Sequence, residues 1–121
     1  MKPKPFKEEF TLEERAKESA AMIASYPDRI PVIVEKFSRS NLPELEKRNN
    51  CRYLVPCNMP VGQFILILRS RLHLSPGTAL FVFVNNTLPQ TVQLMGSVYE
   101  SYKDEGDGFL YLCYSSEKTF G

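Results

Sequence analysis

Few residues in this chain have the chemical capacity for catalysis or ligation. They are three cysteines (Cys51, Cys57, Cys113), one histidine (His73), an acidic run Asp104-Glu105-Gly106-Asp107, and a terminal Thr119-Phe120-Gly121. Nucleophilic catalysis needs a thiol or hydroxyl beside an oriented base. His73 follows a helical pattern and has no obvious oriented partner, so intrinsic catalysis is not expected. The cysteines are odd in number and none has C-x-x-C spacing, which argues against a disulfide framework or zinc site and for inert thiols in a reducing compartment. The acidic run lacks the twelve-residue spacing and closing glutamate of a calcium loop, and turn chemistry accounts for it better. No phosphate-binding glycine loop occurs, so no metal or cofactor is expected. What remains is the end of the chain. A glycine carboxylate on a polar tail suits acyl transfer, because the missing Cβ lets it thread a narrow tunnel and lets a nucleophile approach its carbonyl. Glycine is common enough that this end alone says little.

The elements that would position such a tail can be read from patterning. A chain of 121 residues, 43% hydrophobic, suits one domain with a single core. The net charge of +1 is unevenly placed: residues 29–71 hold eight basic and three acidic side chains, while residues 72–121 hold two basic and five acidic. A local +5 segment in a nearly neutral chain suits an acidic partner rather than bulk nucleic-acid attraction. No apolar run approaches the length of a membrane span, and the N-terminus lacks a signal-peptide apolar region, so a soluble, cytoplasmic protein is expected.

Phe6 to Phe10 suits a brief first helix. Thr11-Leu12-Glu13-Glu14 is a capping box opening a second, with Leu12, Ala16, Ser19 and Ile23 as its stripe and Tyr26-Pro27 as its stop. Arg29 to Lys36 reads as a strand apolar on both faces. Cys51 to Cys57 reads as a second strand, Tyr53 and Val55 facing one way and Arg52, Leu54 and Pro56 the other. Val61, Ile65, Leu68 and Leu72, widened by Phe64 and Ile67, predict a helix after Pro60. A strand over Leu80 to Val84, a helix over Thr91 to Lys103, a turn, and a strand over Phe109 to Tyr114 complete the order. The fold class expected is α+β: a β-grasp sheet around one helix, its second face covered by the two leading helices. The division is an N-terminal helical extension over residues 1–27 and a β-grasp domain with its tail over residues 28–121, forming one folded unit.

The second strand is short, ends at Pro56 and carries arginine, which are edge-strand features. An edge offers unpaired backbone groups to which an extended peptide can add. The competing reading makes Tyr53, Leu54 and Val55 ordinary core and the charges a solvated face.

Several segments then resemble one family in order along the chain. They are Tyr26 through Lys36 (YPDRIPVIVEK), Tyr53-Leu54-Val55-Pro56, Val61-Gly62-Gln63-Phe64, Phe81-Val82-Phe83-Val84-Asn85, Leu88-Pro89, Asp107-Gly108-Phe109-Leu110-Tyr111 and Thr119-Phe120-Gly121. The chain resembles the autophagy-related protein 8 family of ubiquitin-like modifiers from about Phe6 to its end. The resemblance implies a ubiquitin-like β-grasp with two extra N-terminal helices. It also implies conjugation: Gly121 is activated by an E1-like enzyme, passed to E2-like cysteines and joined by an amide to phosphatidylethanolamine. Thr119 and Phe120 are the tail residues those enzymes read, and a cysteine protease acts before and after. Catalysis then belongs to the partners and the lipid is the only attached group. The protein would lie in the cytoplasm, on the autophagosome membrane when lipidated, and in the vacuole or lysosome lumen after delivery.

The resemblance further implies docking of aromatic-x-x-aliphatic motifs of cargo receptors on the second strand. The aromatic pocket would be lined by Glu18, Met22, Pro31, Ile33, Arg52, Leu54 and Phe109. The aliphatic pocket would be lined by Tyr53, Val55, Pro56, Met59, Phe64 and Ile67. Arg29, Lys47 and Arg71 would meet acidic flanks. The chain departs from the family pattern in an apparent insertion at Asn49-Asn50-Cys51, an extra Gly106, Arg52 where lysine is commoner, and Met59 for a branched residue. The absence of residues after Gly121 resembles the plant branch with an exposed glycine. Microtubule association is a further family-level expectation, and nucleic acid is not expected as a partner. The alternative is an adaptor that binds peptides and is never conjugated.

Overall fold

The structure, a computed structural model, describes residues 4–45 and 51–118. Lys47, Asn49, Asn50 and the tail Thr119-Phe120-Gly121 lie outside the described residues. The elements run α1 (Phe6–Glu9), α2 (Leu12–Ser25), β1 (Arg29–Lys36), β2 (Arg52–Pro56), α3 (Val61–Arg71), β3 (Phe81–Phe83), α4 (Met95–Tyr102) and β4 (Leu110–Ser115). That is the expected order of helices and strands.

The strands form one sheet in the order β2-β1-β4-β3. β1 pairs antiparallel with β2 and parallel with β4, and β3 pairs antiparallel with β4. β1 is therefore covered on both sides and both faces. Ile30, Val32 and Val34 enter the main core with Phe64 and Leu68 of α3 and Leu110 and Leu112 of β4. Ile33 points the other way into a second cluster with Phe6 and Phe109, beneath α1 and α2. This two-sided burial is why β1 reads as a continuous apolar run.

The start of α2 is set locally. Thr11 Oγ1 accepts from the Glu14 amide at 3.1 Å and Glu14 Oε1 accepts from the Thr11 amide at 2.9 Å, the reciprocal cap that the sequence predicts. The predicted stripe holds at its centre and fails at its ends: Ser19 is buried and Ala16 half-buried, while Leu12 and Ile23 are exposed, at 53% and 38%. The turn after α4 decides this. Ser19 donates to the Asp107 carbonyl, and Gly108 follows at φ +79°. A Cβ on Gly108 would stand 2.9 Å from Ser19 Oγ. Small residues at both positions let α2 and the turn approach closely.

Asp107 anchors that approach. Its side chain is fully buried and accepts from Arg15 Nη1 at 2.5 Å, Tyr111 Oη at 2.5 Å and the Phe109 amide at 2.9 Å. The turn itself is held by Asp104 Oδ1, which accepts from the amides of Gly106 and Asp107. This matches the turn chemistry expected of the acidic run.

The last helix begins at Met95, not Thr91. The Thr91 and Gln93 carbonyls accept from the Gly62 and Val61 amides at 2.9 and 2.8 Å. The segment thus satisfies the first turn of α3, whose orphan N–H groups need partners, instead of starting a helix of its own.

Candidate functional site

β2 lies at one edge of the sheet, and its backbone parity can be fixed. The Cys57 amide donates to the Asp28 carbonyl at 3.0 Å, in line with the register Ile30↔Val55, Pro31↔Leu54, Val32↔Tyr53. Hydrogen-bonded pairs alternate along an antiparallel ladder. Tyr53 and Val55 therefore bond inward to β1, and the N–H and C=O of Leu54 point to the outer edge. Pro31, which has no N–H, stands where none is needed. Arg29 Nη1 lies 3.5 Å from the Leu54 carbonyl, a long contact that an added strand can replace.

Two sets of side chains flank this edge on opposite faces. On the α2 face, Leu54 stands beside Pro31 and Arg52 beside Ile33 through the strand register. Ile33 and Phe109 are fully buried and Pro31 is buried, so they form a floor. Glu18, Met22, Arg52 and Leu54 are half-buried and form the accessible wall. Arg52 is tightly held there. Its Nε donates to Glu18 Oε2 at 2.6 Å and its Nη2 to Glu18 Oε1 at 3.3 Å. Its guanidinium carbon lies 4.9 Å from the Phe6 ring centroid and 5.0 Å from that of Phe10. Neither phenylalanine was singled out from the sequence, although their i, i+4 spacing on a short helix was a signal.

On the α3 face, Tyr53, Val55 and Phe64 belong to the main core, with Tyr53 edge-on to Phe64 at 5.4 Å. Pro56, Met59 and Ile67 are half-buried and form the accessible rim. Tyr53 and Val55 are thus core, as the competing reading has them, and the rim around them is half-buried. The Tyr53 hydroxyl is buried without a hydrogen-bond partner, and that burial raises its pKa. Arg71 is exposed, its guanidinium carbon 5.7 Å from the Tyr53 ring centroid. Arg29 is also exposed at the other end of the strand, and among the described residues no carboxylate pairs with either.

Other chemistry is sparse. None of the three cysteines forms a disulfide, and burial pushes Cys113 up to about 11. Among the described residues no cluster of histidine, cysteine or carboxylate side chains could hold a metal. No helix among them is long and apolar enough to cross a membrane. A polar depression of about 500 Å³ bordered by Lys7, Asn85, Tyr102, Lys103, Asp104 and Tyr111 shares no residue with the β2 edge. Lys7 and Asp104 already pair with each other there at 2.6 Å.

A parallel β1–β4 pair inside a mixed sheet, with α3 and α4 across its main face and the two leading helices across the other, defines a ubiquitin-like fold with an N-terminal extension. The chain aligns with *Trypanosoma brucei* ATG8 at a TM-score of 0.87 and 42% identity, covering 99% of this chain and 100% of that one. It aligns with *Plasmodium falciparum* Atg8, solved in complex with a *Plasmodium falciparum* Atg3 peptide, at a TM-score of 0.84 and 42% identity, covering 95% and 98%. The family model described as "Autophagy protein Atg8 ubiquitin like" matches residues 14–121. Autophagy-related protein 8D of *Oryza sativa* subsp. *japonica* is 93% identical over all of both chains. Autophagy-related protein 8i of *Arabidopsis thaliana* is 67% identical over 98% of this chain and 99% of its own. The chain belongs to the Atg8 family of ubiquitin-like autophagy proteins.

Proposed function

We propose that this protein is a conjugated modifier of autophagy with a motif-docking edge. Gly121 is the acyl donor, joined to phosphatidylethanolamine by E1-like and E2-like enzymes that read Thr119 and Phe120, with a cysteine protease removing the lipid. Family membership supports this half, since the family match runs through residue 121. The complex of the *Plasmodium* relative with an Atg3 peptide supports a conjugation enzyme as partner. A two-chain lipid anchors a chain stably without a spanning helix. The expected compartments are the cytoplasm, the autophagosome membrane and the vacuole or lysosome lumen.

The observation that carries the docking half is the outward Leu54 backbone between two faces of opposite character. A peptide strand pairs with Leu54 and alternates its side chains to either face. Its aromatic residue lies against Met22, Leu54 and the Ile33–Phe109 floor, and its aliphatic residue against Pro56, Met59 and Ile67. Arg29, Arg71 and Lys47 attract acids beside the motif. Burying an aromatic anchor gives about 4–6 kcal/mol gross and an aliphatic one about 2–3. Ordering a free peptide costs several kcal/mol, which leaves roughly micromolar affinity. Tight cargo capture then depends on many copies on one membrane.

Deleting Gly121 should abolish lipid attachment in a reconstituted E1/E2 system while leaving peptide affinity unchanged; persistent conjugation would refute the acyl-donor role. Leu54→Ala should weaken an aromatic-x-x-aliphatic peptide by about tenfold in calorimetry, and unchanged affinity would remove the groove. A non-conjugated adaptor is the second reading. It predicts loss at Leu54 and no lipidated species under any condition.

A further inference from the structure

We propose that Arg52 is withheld from ligands, so that the α2-side pocket is charge-neutral and, among the described residues, acids beside a motif are read by Arg29 and Arg71. The proposal rests on the β2 docking reading above. By type and place, Arg52 is the obvious cation for a peptide carboxylate, since it projects from the edge strand two residues from Leu54. Its geometry says otherwise. Glu18 already occupies its fork through Nε at 2.6 Å and Nη2 at 3.3 Å. Phe6 and Phe10 cover the guanidinium at 4.9 and 5.0 Å, within the range of a cation–π contact. The Arg52 side chain is only 20% exposed.

A peptide carboxylate arriving here meets a dipole, not a cation. To win Arg52 it must displace Glu18, which exchanges one charge-assisted bond for another and leaves Glu18 unpaired beside it. It must also draw the guanidinium off two aromatic rings. The gain is close to nothing, so acidity beside the aromatic anchor is not rewarded at this position. Arg29 and Arg71 are exposed and pair with no carboxylate among the described residues, so they keep their full attraction. Glu18 and Phe10 thereby determine specificity as positioning residues, Phe10 without touching the peptide. Arginine matters in this role because lysine has no planar face to stack and no fork to fill.

The test uses two synthetic peptides sharing an aromatic-x-x-aliphatic core, one with Asp on both sides of the aromatic residue and one with Asn there. Calorimetry gives the affinity ratio, Asp over Asn, for the full chain and its variants. Glu18→Gln should raise that ratio about fivefold, the order of one partly exposed ion pair, by freeing Arg52. Phe10→Ala should raise it by a smaller factor and Phe10→Tyr should restore it. Arg29→Gln should lower it. Glu18 is partly exposed, so Glu18→Gln remains informative if Phe10→Ala fails to fold. Ratios unchanged in Glu18→Gln, with both peptides bound, overturn the withholding of Arg52 and leave the docking edge standing. Failure of both peptides to bind the unaltered chain overturns the docking edge and this proposal together.

Discussion

Asp107 has the most demanding environment of any residue described. Its carboxylate is buried yet receives three donors, from Arg15, Tyr111 and the Phe109 amide, which is what makes a buried charge tolerable. Asp107→Ala leaves the Arg15 guanidinium unpaired at an interface and should cost about 3–5 kcal/mol, measured by urea unfolding. Asp107→Asn keeps one acceptor oxygen, enough for either the Phe109 amide on Oδ1 or Tyr111 and Arg15 on Oδ2 but not both, and should cost less. An equal loss in both variants would show that shape, not charge, is what the position requires. Burial, followed by the bond to Asp107, raises the pKa of Tyr111, so this phenol stays protonated and donating throughout the working range. None of this was legible in the sequence. Asp-Glu-Gly-Asp-Gly reads as a turn, and it is one, but nothing local says that its second aspartate turns inward to an arginine on a distant helix. The Arg52–Glu18 pair was hidden for the same reason. Each residue was assigned to the α2 side of the edge by resemblance, and only the folded geometry shows that they meet and that Phe6 and Phe10 enclose them.

Among the elements, those fixed by near neighbours were readable and those fixed by distant ones were not. The capping box of α2 spans four residues, Thr11 to Glu14, and β1 announces its two buried faces through Ile30 to Val34. The edge position of β2 followed from its shortness, Pro56 and arginine. The start of α4 was misread because Thr91 and Gln93 serve the amides of α3, a demand that periodicity cannot register. On α2 the stripe was right at Ser19, which the close approach of Gly108 selects, and wrong at Leu12 and Ile23, which are exposed. The parity of β2 supports a prediction of its own. Leu54→Pro removes an outward donor and no bond to β1, so the fold should survive, as proline does on edge strands. Peptide affinity should fall further than in Leu54→Ala, because the strand pairing is lost as well as the side chain. Equal losses in the two variants would mean that bound peptides do not use the Leu54 amide.

At the scale of the whole molecule, two ion pairs join the N-terminal helices to the turn before β4: Arg15–Asp107, already discussed, and Lys7–Asp104 at 2.6 Å. The Lys7 ammonium, ahead of the amides of Asp107 and Gly106, holds Asp104 below its ordinary value of 3.8. A carboxylate whose pKa is lower when folded than when unfolded stabilises the fold above the unfolded value and loses that contribution as pH falls through the folded one. With Lys7 51% exposed, the contribution is below about 1 kcal/mol. Lys7→Met should therefore lower stability slightly at neutral pH. The difference from the unaltered chain should begin to shrink as pH falls past 3.8 and vanish once it has passed the lower folded value, as read from urea midpoints across pH. A difference that persists in acid would assign the effect to packing on Tyr111, over whose ring Lys7 lies at 4.6 Å.

The position of β4 has a mechanical consequence. This strand runs directly into the tail, and it sits inside the sheet with β1 parallel on one side and β3 antiparallel on the other. Tension applied through the tail, as when a tethered protein holds a load against a curved surface, would run along β4. It would be shared at once by the hydrogen bonds of two ladders in shear. Had the tail left from β2, the same pull would peel an edge one bond at a time. Resistance to such a pull is set by the unfolding rate rather than by equilibrium stability, so a chain of ordinary thermodynamic stability can still be a stiff coupling between what it holds and what holds it.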